Sequence, residues 1–284
     1  MPEQFTDDLV VKNELEALGA EVTYEPWDAA GVDWPGFDVV AVRSPWDYSK
    51  RRDEFVAWAD TAGPNLHNSA GLLRWNSDKS YVADLERAGL AVVETTFLEP
   101  GQEWAGDDRE VVVKPSVSAG GRDTGRFGPA LAADAKALIA RIHESGRTAM
   151  VQPFQASVDE IGETALVFVD GEFSHPLRKR AVLRPDEVAP VRQTDLMVAE
   201  AMYDPDLVLS GTYEPDELQL AERIVAHISE RFDYVPLYAR VDMLRDSHGA
   251  PVLLELEAVE PNLYFDQFPE GAGHLARAIM SRAS

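Results

Sequence analysis

The chain has 284 residues, enough for one large or two to three small structural units, and 45 % of them are hydrophobic. With 50 acids against 26 bases, its formal net charge of -24 argues against non-specific binding to nucleic acid or anionic membranes, both of which need basic patches. The absence of cysteine excludes disulfides, thiolate zinc sites and cysteine nucleophiles within this chain.

Apolar runs such as residues 39–42 and 111–113 fall far short of the ~20 residues of a membrane span. The opening residues have neither the basic nor the apolar region of a secretory signal, so a cytoplasmic protein is expected. Residues 7–18 place Leu9, Val10, Asn13, Leu15 and Leu18 at roughly helical spacing before Gly19, which predicts a helix. Short strands are expected over 21–24 and 38–42, giving a small α/β unit that lacks the strand such units normally open with. Either that sheet is cut short or the natural start lies upstream.

The second strand runs into Arg43-Ser44-Pro45-Trp46-Asp47-Tyr48, a loop carrying a cation, an acid and two aromatics at the strand end where open α/β sheets bind ligands. The alternative is a rim loop with Trp46 and Tyr48 packed as covers. Helices are expected over 51–62, in a short piece ending near Asn76, and from an N-cap at Ser77 to Gly89. Lys79 then sits in a first turn, the positive end of a helix, where a nearby anion would explain it; a solvated side chain balanced by Asp78 would explain it too. Only six of the 26 bases are lysines, so a lysine inside a motif is informative.

Strands over 91–93, 95–98 and 110–114 lead into a loop rich in glycine and small hydroxyls, residues 115–125. Its backbone NH groups, with Lys114 beside them, form a candidate phosphate cradle, although a glycine-rich hairpin tip is also a common bland feature. A helix over 130–144 and a strand over 148–152 precede Pro153-Phe154. A hairpin follows, with strands over 163–169 and 172–180 about an Asp170-Gly171 turn and with His175 and Lys179 on one face. Residues 184–213 are interrupted by prolines and resist assignment. Helices are expected over 215–231 and 272–282.

Between those helices, Tyr238-Ala239-Arg240-Val241-Asp242 and Leu253-Leu254-Glu255-Leu256-Glu257 read as two strands joined by a turn-rich link. Strand alternation puts Arg240 and Asp242 on one face, and Glu255 and Glu257 on one face. Unpaired acids on a core face are costly, whereas Mg2+ binds through carboxylates together with phosphate oxygens. The hairpin therefore reads as a metal platform, or otherwise as a solvated acidic face.

Lys79, Val-Val-Val-Lys114-Pro-Ser116 before a loop holding Gly120 and Gly121, Gln152-Pro-Phe154, Gly162-Glu163, His175 with Lys179, Arg240-Val-Asp242 and Glu255-Leu-Glu257 together resemble the ATP-grasp superfamily. Arg43 to Tyr48 and the exit Glu260-Pro261-Asn262-Leu263-Tyr264 look closest to its glutathione-synthetase-like branch, which includes the D-cycloserine biosynthesis cyclo-ligase. The resemblance implies an α/β fold of ATP-grasp type. It would have an amino-terminal α/β domain over 1–76, a first ATP-grasp subdomain over 77–152 and a second, carrying the metal site, over 153–284.

It also implies ATP and Mg2+ as cofactors, with Lys79, Lys114, Ser116, Gly120 and Gly121 at the phosphates. Gln152 and Phe154 would hold adenine, Glu163 ribose, and Asp242, Glu255 and Glu257 the metal. Many members carry Asn where this chain has Glu257. The activity implied is activation of a substrate carboxylate as an acyl phosphate for attack by an amine, giving an amide bond or a ring. Arg240, Lys179 and His175 are the expected catalytic residues, and Arg43, Trp46, Asp47, Tyr48, Asn262 and Tyr264 the expected substrate residues. The expected partner is a small amino-acid-like molecule, with a homodimer left open and neither nucleic acid nor membrane involved. An ATP-binding regulator or scaffold, or a small-molecule kinase, would use the same nucleotide apparatus.

Overall fold

The computed structural model describes residues 6–180 and 208–283. Most of the stretch that resisted assignment, residues 184–213, lies outside the described residues. Two antiparallel sheets supply the two walls of one cavity, and a small parallel pair closes part of its rim.

The parallel pair is β1 (Val40–Ala41) and β2 (Leu66–His67), with α2 (Arg52–Thr61) packed on it. Phe55 and Ala59 of α2 are buried against Val40, Val42 and Leu66, so an amphipathic helix and two short apolar strands make a small core of their own. Residues 21–24, expected as a strand, run without a strand partner. Tyr24 instead donates its hydroxyl to the Asp8 carbonyl at 2.5 Å, which ties the segment to α1 (Thr6–Ala17) rather than to a sheet.

The first antiparallel sheet has the order β3-β6-β4-β5, from β3 (Thr96–Leu98), β4 (Val111–Pro115), β5 (Gly125–Phe127) and β6 (Ala149–Pro153). Leu138, Ile139 and Ile142 of α5 (Ala132–Glu144) cover Val111, Val113 and Val151 on one face. Alternation then turns Val112 and Lys114 to the other face, toward the cavity.

The second sheet has the order β11-β10-β7-β8-β9. It is built from β7 (Glu163–Val169), β8 (Glu172–Lys179), β9 (Val208–Ser210), β10 (Tyr238–Arg245) and β11 (Pro251–Glu257). Below it lies α7 (Pro215–Phe232), opened by Pro215 and a reciprocal Glu214–Glu217 capping box. Its stripe of Leu220, Ile224, Val225 and Ile228 packs on Leu166, Phe168 and Val241, joined by α4 (Tyr81–Arg87). The opposite face is covered at one end by Val11 and Leu15 of α1 and by Leu275 and Ala276 of α8 (Pro269–Met280). The other end of that face is left for the cavity.

The helix expected from Ser77 starts later. Ser77 closes α3 (Ala70–Asn76), and α4 begins at Tyr81 with Ser80 before it. The Lys79 amide donates to the Ser116 carbonyl at 2.8 Å, which pins the residue to the neighbouring sheet outside either helix.

Candidate active site

The site is built on the second sheet. In the register of β10 and β11, Arg240 lies opposite Glu257 and Asp242 opposite Glu255. All four side chains share one face, as alternation requires. Asp242, 1 % exposed, accepts from Arg240 Nε at 2.8 Å and Nη2 at 2.9 Å and from Lys179 Nζ at 2.7 Å. Arg240 also pairs closely with Glu257 and donates Nη1 to the Asn262 carbonyl at 2.8 Å. Lys179 reaches Glu163 at 2.9 Å, and Lys79 reaches Glu255 at 3.2 Å.

The positions of Glu255 and Glu257 depend on β11, which is an edge strand. Its outer backbone groups find side-chain partners in place of another strand. The Tyr81 hydroxyl accepts from Leu256 N at 2.8 Å and donates to Leu256 O at 3.0 Å. Asn76 donates to Leu256 O at 2.8 Å and accepts from Ala258 N at 2.7 Å. Farther along, the Ala91 carbonyl accepts from Leu253 N and the Leu253 carbonyl accepts from Val93 N, both at 2.9 Å.

Burial and charge set the protonation of the cluster. Burial would raise the Asp242 carboxyl, yet Arg240 and Lys179 hold it well below the usual carboxylate range. Glu255 is likewise held low against burial by Lys79 and Lys114. For Glu257 burial outweighs Arg240 and pushes the carboxyl up to about 7. Burial and the nearby Glu257 push Glu260 up to about 8, against the opposing influence of Tyr48 and Lys79.

The other wall comes from the first sheet. Lys114 in β4 points into the cavity, and burial lowers its ammonium pKa against the pull of Glu255; the ammonium makes no hydrogen bond or ion pair among the described residues. Lys79 donates to the Ser118 carbonyl at 2.8 Å, so both lysines stand at the root of the glycine loop. Gly120 and Gly121 line the cavity with φ of 66° each, a left-handed pair that would strain any other residue. Ser116 is buried beneath, its amide donating to Thr148 O at 2.9 Å. Gln152 and Phe154 line the end next to β6. There Gln152 donates to the Thr95 hydroxyl at 2.9 Å, and the Arg126 guanidinium lies 3.4 Å from the Phe154 ring centre.

Between the walls lies a cavity of about 380 Å³, a size that suits a small-molecule site. It gathers residues from both sheets with Trp46, Tyr48, Asn262 and Tyr264 at its rim. Four expected residues sit outside it, Ser116 beneath the glycine loop and three that were expected at the substrate or in catalysis. Arg43 donates Nε to Asp8 at 3.0 Å and Nη2 to the Pro261 carbonyl at 3.5 Å, over the Tyr238 ring. Asp47 accepts from the Trp27 indole at 3.0 Å. His175, 3 % exposed, shares the face of Lys179, but it bonds to the Leu263 carbonyl at 2.8 Å and stacks on Phe268. Burial lowers its pKa, and its contacts are those of a support beneath the exit loop.

That exit loop is held from several sides. Asp7 of α1 accepts from Leu263 N at 2.7 Å, Tyr264 N at 2.9 Å and Phe265 N at 2.6 Å. These bonds sustain Tyr264 at φ 55°, a conformation rarely adopted by a bulky residue. Sequence reasoning missed Asp7, Asn76 and Glu260. Two acids opening a helix read as ordinary end charges, and Glu260 lies past the strand, where alternation no longer tells direction.

Three carboxylates thus share a face, but among the described residues no three His, Asp or Glu side chains are gathered to hold a metal. Each acid is drawn to a cation instead. The donor set remains all oxygen, which suits a hard cation such as Mg2+.

The family model described as the D-cycloserine synthetase DcsG N-terminal domain matches residues 1–68. The cycloserine biosynthesis protein DcsG of Streptomyces lavendulae is 34 % identical over 269 residues, covering 90 % of this chain and 87 % of that protein. The crystal structure of a D-cycloserine synthetase DcsG superposes with a TM-score of 0.84 at 29 % identity, over 98 % of this chain and 95 % of that one. D-alanine–D-alanine ligase from Bacillus anthracis, complexed with ATP, superposes at 0.59 with 12 % identity, over 99 % and 94 %. That last likeness speaks to the fold.

Proposed function

Because the chain belongs to the DcsG family and is an ATP-grasp ligase, we propose that it binds ATP between its two antiparallel sheets and closes a ring or amide on an amino-acid-like substrate related to cycloserine. The observation that carries this reading is one cavity with Lys79 and Lys114 at a glycine loop on one side and the Arg240, Asp242, Glu255 and Glu257 face on the other.

In this reading the three units are residues 1–76, 77–152 and 153–284. Lys79, Lys114 and the backbone of residues 116–125 bind the phosphates. Gln152 and Phe154 border adenine, and Glu163 meets ribose. Asp242, Glu255 and Glu257 would hold Mg2+, which when bound neutralises phosphate charge. Lys79 and Lys179, paired with Glu255 and with Glu163 and Asp242, would be the cations that neutralise phosphate oxygens. Arg240, fixed by Asp242 and the Asn262 carbonyl, faces the carboxylate that attacks the γ-phosphorus. Catalysis of that step is chiefly positioning and charge neutralisation. An amine then forms the new C–N bond as phosphate leaves. Trp46, Tyr48, Asn262 and Tyr264 border the acceptor, while Arg43, Asp47 and His175 act from behind by fixing the loops that carry them. We assign the reaction to the cytoplasm, where ATP is made.

A product assay with ATP, Mg2+ and a panel of amino acids and ureido amino acids tests the reading. ADP with an amide or ring product is the expected result. ADP with a phosphate ester would make the protein a kinase, and binding without ADP would make it a regulator.

A further inference from the structure

Five carboxylates line the cavity: Glu163, Asp242, Glu255, Glu257 and Glu260. Four of them are paired with Lys79, Lys179 or Arg240 at the distances given above. Glu260 is the exception, with no cation in ion-pair contact among the described residues; Lys79, already paired with Glu255, acts on it only from farther off. The polar neighbour of Glu260 is Tyr48, carried by the 3₁₀ turn Trp46–Lys50 of the amino-terminal unit. A carboxylate has room for about four hydrogen bonds, so one tyrosine leaves most of its capacity facing the cavity. Ionising such a group without a counter-charge is costly, and a cationic ligand would supply one.

The cavity is also polarised. The glycine-loop side holds Lys114, whose ammonium has no hydrogen bond or ion pair among the described residues, while the exit-loop side holds Glu260, which has no ion pair either. A ligand that complements both ends has its anionic part toward the lysines and a cationic group toward Glu260. The amino-acid reading expects an acid for the substrate ammonium, and Asp47 was the sequence candidate. Asp47 instead faces Trp27 and Arg51 outside the cavity.

We propose, resting on the ligase reading above, that Glu260 and Tyr48 form the subsite for the amino group of the amino-acid substrate, with Glu260 accepting from the ammonium and Tyr48 orienting the carboxyl. Asn262 and Tyr264, two and four residues on, border the same subsite. The subsite makes a free amine a requirement for binding, separate from the carboxylate chemistry at Arg240.

Calorimetry with D-cycloserine and N-acetyl-D-cycloserine, in the presence of Mg2+ and ADP, tests this directly, since the two differ at the amine. Wild-type protein should prefer the free amine by about tenfold or more. Glu260→Gln should abolish that preference with ADP affinity unchanged, and Tyr48→Phe should reduce it. Full preference retained in Glu260→Gln overturns the subsite while leaving the ligase reading intact. Loss of Mg2+-dependent ADP binding in Glu260→Gln also overturns it, because Glu260 would then be a metal ligand. If wild-type protein binds neither compound, the substrate class of the ligase reading falls, and the subsite with it.

Discussion

Asp242 is the residue on which the proposed site turns, since it alone among the described residues is bonded by both Arg240 and Lys179. Asp242→Asn should lower turnover on the order of a hundredfold, as losing one preorganised electrostatic contact does in other enzymes; steady-state ADP release measures it, and a near-wild-type rate would remove Asp242 from the chemistry. Glu260 gives a pH prediction. Its carboxyl rises from 4.5 to about 8 on folding, so the folded chain holds the proton more tightly than the unfolded one. That contribution to stability is complete below the unfolded value and is lost as pH rises through the folded one. Glutamine cannot ionise, so the Tm of Glu260→Gln minus that of wild type, without ligand, should grow between about pH 5 and about pH 8.5. A constant difference would contradict the shift. Residues on regular strands were legible, because alternation alone puts Arg240, Asp242, Glu255 and Glu257 on one face. Arg43 and Asp47 were not, because their partners, Asp8 and Trp27, lie 35 and 20 residues earlier and no local pattern encodes them.

At the scale of elements, close approaches and edge clamps fix the site. Gly162 has φ 78°, and a Cβ there would lie 2.3 Å from the Lys179 carbonyl, so the strand pairing that brings Glu163 to Lys179 needs glycine. Gly162→Ala should cost about 1–3 kcal/mol in denaturant unfolding. The loop over 116–125, rich in glycine, should gain hydrogen-exchange protection on adding ATP and Mg2+, since a bound anion would accept from its amides. Unchanged protection would remove the case for a phosphate cradle. The strands β7, β8, β10 and β11 and the helices α2, α5 and α7 were read within a few residues, because each pairs a clear period with strong end signals. The start of α4 was misplaced because Ser77 and Ser80 are equivalent as local signals. What separates them is the long-range bond from Lys79 N to Ser116 O.

For the whole molecule, two antiparallel sheets bring motifs spread from Lys79 to Tyr264 to the lining of one shared cavity. Through Asp7 and Asp8, α1 serves as a clasp between the exit loop and Arg43. The central claim, that a substrate carboxylate attacks ATP and an amine then displaces phosphate, is tested most directly by isotope transfer. A ureido amino acid substrate labelled with ¹⁸O in its carboxylate is incubated with ATP, Mg2+ and the protein, and the released inorganic phosphate is analysed by mass spectrometry. The account predicts one ¹⁸O atom in that phosphate, carried over through the acyl phosphate. ADP formed alongside unlabelled phosphate, or alongside a phosphate ester retaining the label in its carboxylate, would contradict it.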